Sequence, residues 1–439
     1  MIIRENMKTK AMKTVNNELY IGNYRLKDLA QQYGTPLYVY DEAGVRDKIA
    51  RYKKGLQSNL FKCNVVYASK AFLAPYLCDM LIENDFYIDG VSIGDMYLIQ
   101  KSGYPMDHIV LHGNNKSNEE LTYAVKNGVE YIVVDNKSEL KRLIKIEEEL
   151  KKNVKVLFRI NPGIHAHTHA YIETSLLDSK FGESIYDLDI IDEMIKLCME
   201  NEYVEFNGFH AHIGSQITNA DSFASEASAM LKFVNKIEKQ YNIDVNTLNL
   251  GGGFAIKYLD DDNEINIEEA LEKMIAAVES EVKAGNVHIK RLMIEPGRSL
   301  VGDSGVTLYR CGGKKKTYAG KEYIFIDGGM PDNIRPALYD AEYTVGVANR
   351  VESDEKRTYD VVGKCCESGD IIAKGVEVGE VHEGDIIIVY STGAYCYSMS
   401  MNYNGLTRGG VIFVGDTVKE VIKKQSLEDL VSTCVFKEK

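Results

Sequence analysis

No apolar run in this sequence approaches the roughly 20 residues needed to span a bilayer, so a membrane-spanning helix is not expected. No CxxC pair occurs among the eight cysteines (Cys63, Cys78, Cys198, Cys311, Cys365, Cys366, Cys396 and Cys434), and nothing at the start resembles a signal peptide. Both observations favour a reducing cytoplasm and free thiols. Basic charge is also short: 52 Lys and Arg face 65 Asp and Glu, a formal charge of -13. That balance works against nucleic acid and anionic membrane surfaces, because both need a basic face. A small-molecule substrate fits better. Internal repeats and low-complexity tracts are absent.

What the chain does have is apolar material for a large core. Of its 439 residues 45% are apolar and 27% charged, the balance of a globular protein too long for one ordinary core. Residues Met1–Lys13 alternate charged and apolar residues and read as a loose tail. Eight apolar, β-branched runs then recur: Val65–Ser69, Phe86–Ser92, His108–His112, Tyr131–Asp135, Val154–Ile160, Val204–Ile213, Val245–Leu250 and Leu292–Glu295. Segments of helical periodicity lie between them, among them Ala74–Ile82, Asn118–Val125, Lys137–Leu150, Leu188–Met199, Ser222–Tyr241 and Ile267–Val282. Eight strands alternating with helices predict an α/β chain with a closed parallel (β/α)8 TIM-type barrel. After about Val306 the pattern turns to short alternating runs (Tyr323–Asp327, Tyr359–Val362, Asp385–Tyr390) between Gly-rich turns, which predicts a second, antiparallel β domain. The domains are thus expected at 1–40 (a segment packing with the β domain), 41–305 (the barrel) and 306–439.

A parallel barrel builds its site at the C-terminal strand ends, where Lys70, Ser92, Asn114, Asn161, His212, Gly251 and Glu295 fall. Lys70 follows the buried run Val65–Ser69, so its amine is expected to emerge from apolar surroundings that lower its pKa and free its lone pair. By itself it reads more readily as a solvated loop lysine. Gly251-Gly252-Gly253 ends the seventh run, as a structural turn or as a cradle of backbone N–H groups for phosphate. Glu295-Pro296-Gly297-Arg298 ends the eighth, either as a local ion pair or as a carboxylate for a pyridinium and a guanidinium for an anion. In His210-Ala211-His212-Ile213-Gly214-Ser215 an imidazole could stack on a flat cofactor and Ser215 could donate to phosphate. No carboxylate or thiol sits at metal-ligand spacing beside these histidines or beside His165, His167 and His169, so no metal is expected. Cys366, beside Glu367 and Asp370, is better placed to donate a proton than to act as a nucleophile, although a structural thiol fits too.

Together these residues resemble the barrel-type, fold-type III pyridoxal-phosphate decarboxylases, and within them the diaminopimelate decarboxylases. The resemblance spans nearly the whole chain through Tyr67–Lys70, His112–Ser117, Asp178–Gly182, His212–Gln216, Gly251–Phe254 and Glu295–Arg298. It continues through Asp327–Met330, Ile334–Tyr339, Cys366–Asp370 and Gly393–Tyr395. It implies pyridoxal 5'-phosphate anchored on Lys70, with His212 against the ring and Glu295 at the pyridine nitrogen. Ser215, Gly252, Gly253, Arg298 and Tyr395 would hold the phosphate. Arg298, Arg335, Tyr339, Glu367 and Tyr395 would hold the substrate, and Cys366 would return the proton. The implied assembly is a head-to-tail homodimer in which Cys366 and Glu367 come from the partner chain.

The implied reaction converts meso-2,6-diaminopimelate to L-lysine and CO2, the last step of lysine biosynthesis. Paired arginines beside Glu367 suit a distal centre bearing both charges. A decarboxylase of ornithine, lysine, arginine or carboxynorspermidine on the same fold is the competing expectation. Alanine racemase shares the plan but is expected to set an arginine against the pyridine nitrogen, and a non-enzymatic carrier leaves Cys366 without a role. Three departures from the family pattern lie beside the site: Ser175 for Gly, Cys396 for Gly, and Asn404–Arg408 without prolines.

Overall fold

Strands buried on both faces carry continuous apolar runs, and each of the eight runs forms a strand in the computed structural model, which describes residues 5–163 and 179–437. His165, His167, His169, Ser175 and Asp178 lie outside the described residues. The strands are β1 (Lys62–Tyr67), β2 (Tyr87–Gly90), β3 (Ile109–Leu111), β4 (Tyr131–Val134), β5 (Val154–Asn161), β6 (Val204–Ala211), β7 (Thr247–Asn249) and β8 (Arg291–Ile294). Each pairs in parallel with the next, and β8 returns to β1, so the sheet closes into the expected barrel. Val66, Tyr87, Val110, Tyr131, Val133, Leu157 and Met293 fill one core cluster drawn from six of these strands. The helices between them expose one face and bury the other. Lys137–Leu150 and Leu188–Met199 have the bounds that periodicity predicts.

The chain divides into two units. One comprises 49–255 and 263–297 and holds the barrel; the other comprises 1–48, 256–262 and 298–439. The second unit is a β structure whose strands run in the order Ile371–Gly379, Lys356–Val362, Glu322–Ile326, Gly305–Lys316, Leu37–Asp41, Gly410–Val414 and Val418–Ile422. Pairing is mostly antiparallel. Parallel contacts join Leu37–Asp41 to Gly410–Val414 and Glu322–Ile326 to Lys356–Val362. Leu37, Val39, Val306, Leu308, Ile386, Ile388 and Ile412 make the core of this unit. The expected loose tail is partly corrected here. Met7 and Met12 are buried in that core, and Met12–Val15 pairs with Glu18–Ile21, because the apolar residues of the alternation find a hydrophobic face to cover.

Two buried ionisable groups bear on the barrel. Lys116, fully buried, donates from Nζ to Gly113 O (2.6 Å) and Val133 O (2.7 Å) and meets Glu139 Oε1 at 2.8 Å. It thereby ties the loop after β3 to β4 and to the helix Lys137–Leu150. Glu226, on the helix Ala220–Tyr241, is buried with no hydrogen-bond partner among the described residues, and burial holds its carboxyl well above the usual range.

Removing one partner of a buried pair strands the other charge. Lys116→Met is therefore expected to lower the unfolding free energy by about 3–5 kcal/mol, with Lys116→Met/Glu139→Met recovering most of it in denaturant titrations. For Glu226 the folded state keeps a proton that the unfolded state releases near pH 4.3, so stability falls as pH rises above that value, by about 1.4 kcal/mol per unit. Glu226→Gln removes that slope. Its melting temperature should match the parent near pH 4 and exceed it at pH 8; equal curves at both pH values would contradict the assignment.

Candidate active site

Every strand of the barrel contributes a polar side chain at or near its C-terminal end. Lys70 follows β1 in the short turn Ser69–Ala71, and Asp89 lies on β2. His112 follows β3, Asp135 follows β4, Arg159 lies on β5, and His210 and His212 end β6. Asn249 and the Gly251–Gly253 run end β7, and Glu295 follows β8. Residues far apart in sequence meet because parallel strands deliver all their C-terminal ends to one face.

Glu295 is the centre of this ring. His112 Nε2 lies 2.8 Å from its Oε1, Asn249 Nδ2 donates to the same oxygen at 2.8 Å, and His210 Nε2 lies 3.1 Å from Oε2. Burial alone would raise the carboxyl, but the two imidazoles outweigh it and hold Glu295 well below the usual carboxylate range. It is an anion kept dry. Burial lowers His210 to about 4 against the pull of Glu295, so its ring is neutral. Asp89 shows the opposite outcome. Burial, opposed by His112 and Lys70 and reinforced by Glu295, pushes it up to about 6. Its Oδ1 accepts the Ser69 N–H at 2.6 Å, which shapes the turn that carries Lys70.

Lys70 itself is exposed, a correction to the apolar surroundings expected for it. The apolar side chains of the preceding run are buried, whereas Lys70 lies beyond the last paired residue of β1. Its charge is felt at Asp89 and at His212. His212 is held well below its usual value, first by burial and then by Lys70 and Arg159. The Gly252 N–H lies 3.3 Å from His212 Nδ1, which leaves the ring proton on Nε2. Arg159 rests over the Phe181 ring at 4.5 Å, and Asp135 accepts the Gly182 N–H at 3.1 Å.

The glycines, expected as a cradle, have a packing reason of their own. A Cβ on Gly252 would lie 2.1 Å from Glu295 O, and one on Gly253, where φ is +115°, would lie 2.4 Å from Gly214 O. The loops after β6, β7 and β8 therefore approach to backbone contact, and Ile217 N donates to Gly253 O at 2.8 Å. Ser92 turns out to cap the helix Ile93–Lys101 in a capping box with Asp95.

The second unit collects the other expected residues. Arg298 and Arg335 are buried, and the Tyr395 ring lies 4.7 Å from the first guanidinium and 5.4 Å from the second. Tyr339 also faces Arg335, at 5.4 Å. Tyr258 accepts from Arg298, and Tyr343 OH accepts from Arg335 Nε at 2.8 Å. Cys366 and Glu367 are exposed on a turn whose backbone is set by Asp370. That carboxylate accepts from Met330 N (2.6 Å) and Cys365 N (2.8 Å). Burial, then Asp370, pushes the neighbouring Cys365 thiol up to about 12.

Asp89, Asn249, Arg159, Tyr258 and Tyr343 were not singled out from the sequence. The first three lie inside apolar strands and the tyrosines in loops; spacing signals none of them. The missing carboxylate for a metal site is also supplied by the fold, since ligand atoms of His112, His210 and Glu295 lie within 4.8 Å of one another. Both Nε2 atoms nevertheless face Glu295, so they present N–H donors to the carboxylate rather than lone pairs to an ion.

The donor set fits pyridoxal phosphate. Glu295 Oε2 accepts from His210 alone among the described residues, which leaves a lone pair for a protonated ring nitrogen. A neutral imidazole of set tautomer and a lysine amine lie in the same ring of residues.

Comparison with known proteins agrees. Residues 43–302 match the family model described as pyridoxal-dependent decarboxylase, pyridoxal binding domain. Diaminopimelate decarboxylase of Bacillus subtilis (strain 168) is 41% identical over 417 residues, 95% of each chain. The crystal structure of diaminopimelate decarboxylase from M. jannaschii in complex with L-lysine superposes with a TM-score of 0.91 at 30% identity, covering 98% of each chain. That of the Helicobacter pylori enzyme with L-lysine gives 0.84 at 29% identity, covering 93% of this chain and 98% of that one. The chain belongs to the diaminopimelate decarboxylase family of pyridoxal-dependent decarboxylases.

Proposed function

We propose that this chain decarboxylates meso-2,6-diaminopimelate to L-lysine and CO2 with pyridoxal phosphate held on Lys70. The observation that carries the reading is Glu295, a buried carboxylate kept ionised by His112, His210 and Asn249 in the same ring of residues as a lysine amine. Pyridoxal phosphate, when bound, supplies a ring that takes up the electron pair left by the departing CO2. Glu295 holds the proton on the ring nitrogen and so keeps that ring electron-poor. His212 covers the ring face. Ser215, Gly252, Gly253, Tyr395 and Arg298 hold the phosphate.

Arg298 and Arg335, with Tyr339 and Tyr395, hold the distal carboxylate of the substrate, and Glu367 holds its distal ammonium. A substrate that yields a simple diamine would need acids there and little cationic help, which favours the dicarboxylate over ornithine or lysine. Cys366 delivers the proton to the α-carbon. Cys366 and Glu367 are exposed on their turn, which supports a homodimer in which each chain completes the site of the other. The setting is the cytoplasm and lysine biosynthesis.

Assay of released CO2 over a panel of amino acids tests the reaction: meso-diaminopimelate should be turned over faster than L-lysine or either enantiomer of ornithine. Faster turnover of any of those would overturn the substrate. Lys70→Ala should remove the near-visible absorbance of lysine-bound pyridoxal phosphate, and its retention would overturn the anchor. Mixing inactive Lys70→Ala with inactive Cys366→Ala should restore activity to about a quarter of the parent value, as random pairing of two-fold dimers requires. No recovery in a mixture shown to exchange subunits would contradict shared sites.

A further inference from the structure

Arg298 and Arg335 are two buried cations in one cluster about the Tyr395 ring, and Arg335 forms no ion pair with a carboxylate among the described residues. A phenol accepts from each guanidinium. Arg298 Nη1 donates to Tyr258 OH, and Arg335 Nε donates to Tyr343 OH at 2.8 Å. The two phenol rings meet edge to face, with centroids 5.1 Å apart at 86°. Their backbones are joined as well: Tyr258 O accepts from Thr344 N at 3.1 Å and from Thr344 Oγ1 at 2.8 Å. Asp262 Oδ2 takes the N–H groups of Tyr258 (2.9 Å) and Leu259 (2.8 Å), which shapes the short segment 256–262 that folds with the β unit. Tyr343 OH also lies 3.7 Å from Cys396 Sγ, so the phenol that accepts from Arg335 has a buried partner for its own proton.

The consequence is directional. A guanidinium held through Nε keeps its Nη1 and Nη2 edge for a bidentate grip on a carboxylate. A phenol oxygen stabilises the cation without neutralising it, unlike a carboxylate, which would compete with the substrate for the same fork.

We infer that Tyr258 and Tyr343 are positioning residues that align the Arg298 and Arg335 guanidinium groups on the distal carboxylate, and that they thereby set the preference for a dicarboxylic substrate. The inference rests on the role proposed above for the two arginines. L-Lysine, the product, retains the distal carboxylate, whereas cadaverine has none, so the pair of ligands isolates the effect.

The test uses the pyridoxal-phosphate-loaded enzyme and its Tyr258→Phe, Tyr343→Phe and Arg335→Gln variants. Calorimetric Kd values for L-lysine and cadaverine are measured alongside KM and kcat for meso-diaminopimelate. Each Tyr→Phe change keeps the ring contact and removes one hydrogen bond to a cation. KM and the L-lysine Kd should each rise about tenfold or more, while kcat stays within about twofold and the cadaverine Kd is unchanged. Equal weakening of both ligands, a fall in kcat at constant KM, or no change would overturn the inference. If Arg335→Gln loses the preference for L-lysine over cadaverine while Tyr343→Phe keeps it, the positioning role fails and the arginine role stands. If Arg335→Gln keeps that preference, the arginine role itself is wrong. Should Tyr258→Phe not fold, Tyr343→Phe decides alone.

Discussion

A carboxylate removed from water costs free energy unless donors replace its hydration, and the barrel is arranged around meeting that need at Glu295. His112, His210 and Asn249 come from three different strands, so their convergence depends on the sheet being closed. The loop after β7 has to approach β8 so closely that a side chain at Gly252 would overlap Glu295 O. Asp89 lies within reach of the same charges with fewer donors and is pushed up to about 6. Two acids sharing one basin are thereby driven apart, and the one with more hydrogen-bond donors keeps its charge.

The β unit meets the converse problem. Arg298 and Arg335 are two cations in one buried cluster, where mutual repulsion and lost hydration would disperse them. Phenol oxygens and the face of Tyr395 stabilise both without cancelling their charge. A cluster that stays cationic while buried is suited to an anionic ligand. The exposed turn bearing Cys366 and Glu367 is held from behind by buried Asp370, which accepts the Met330 and Cys365 N–H groups.

The barrel was legible because strands covered on both faces need uninterrupted apolar residues, and each such run ended at a turn. The strand-end positions of Lys70, His212, Gly252, Gly253 and Glu295 were legible for the same reason: each stands where an apolar run stops. The same rule overreached at Ser92, which caps a helix. It missed Asp89 and Asn249, which sit within their strands, and it placed Lys70 in apolar surroundings when its side chain is exposed. Tyr258 was silent because its segment reads as an ordinary connection between a strand and a helix. The buried methionines of the N-terminal stretch were silent because alternation over so few residues does not reveal what they will cover.

By itself the sequence determined the two-part architecture and which candidate residues stand at the strand ends, since periodicity and strand-end position are local properties. Which residues touch, and which protonation states follow, was decided only by tertiary structure. The charge of Glu295, the neutrality of His210 and the pairing of each arginine with its phenol depend on distances of about 3 Å between residues far apart in the chain. Electrostatic and hydrogen-bond energies change steeply over that range, and linear spacing carries no record of it.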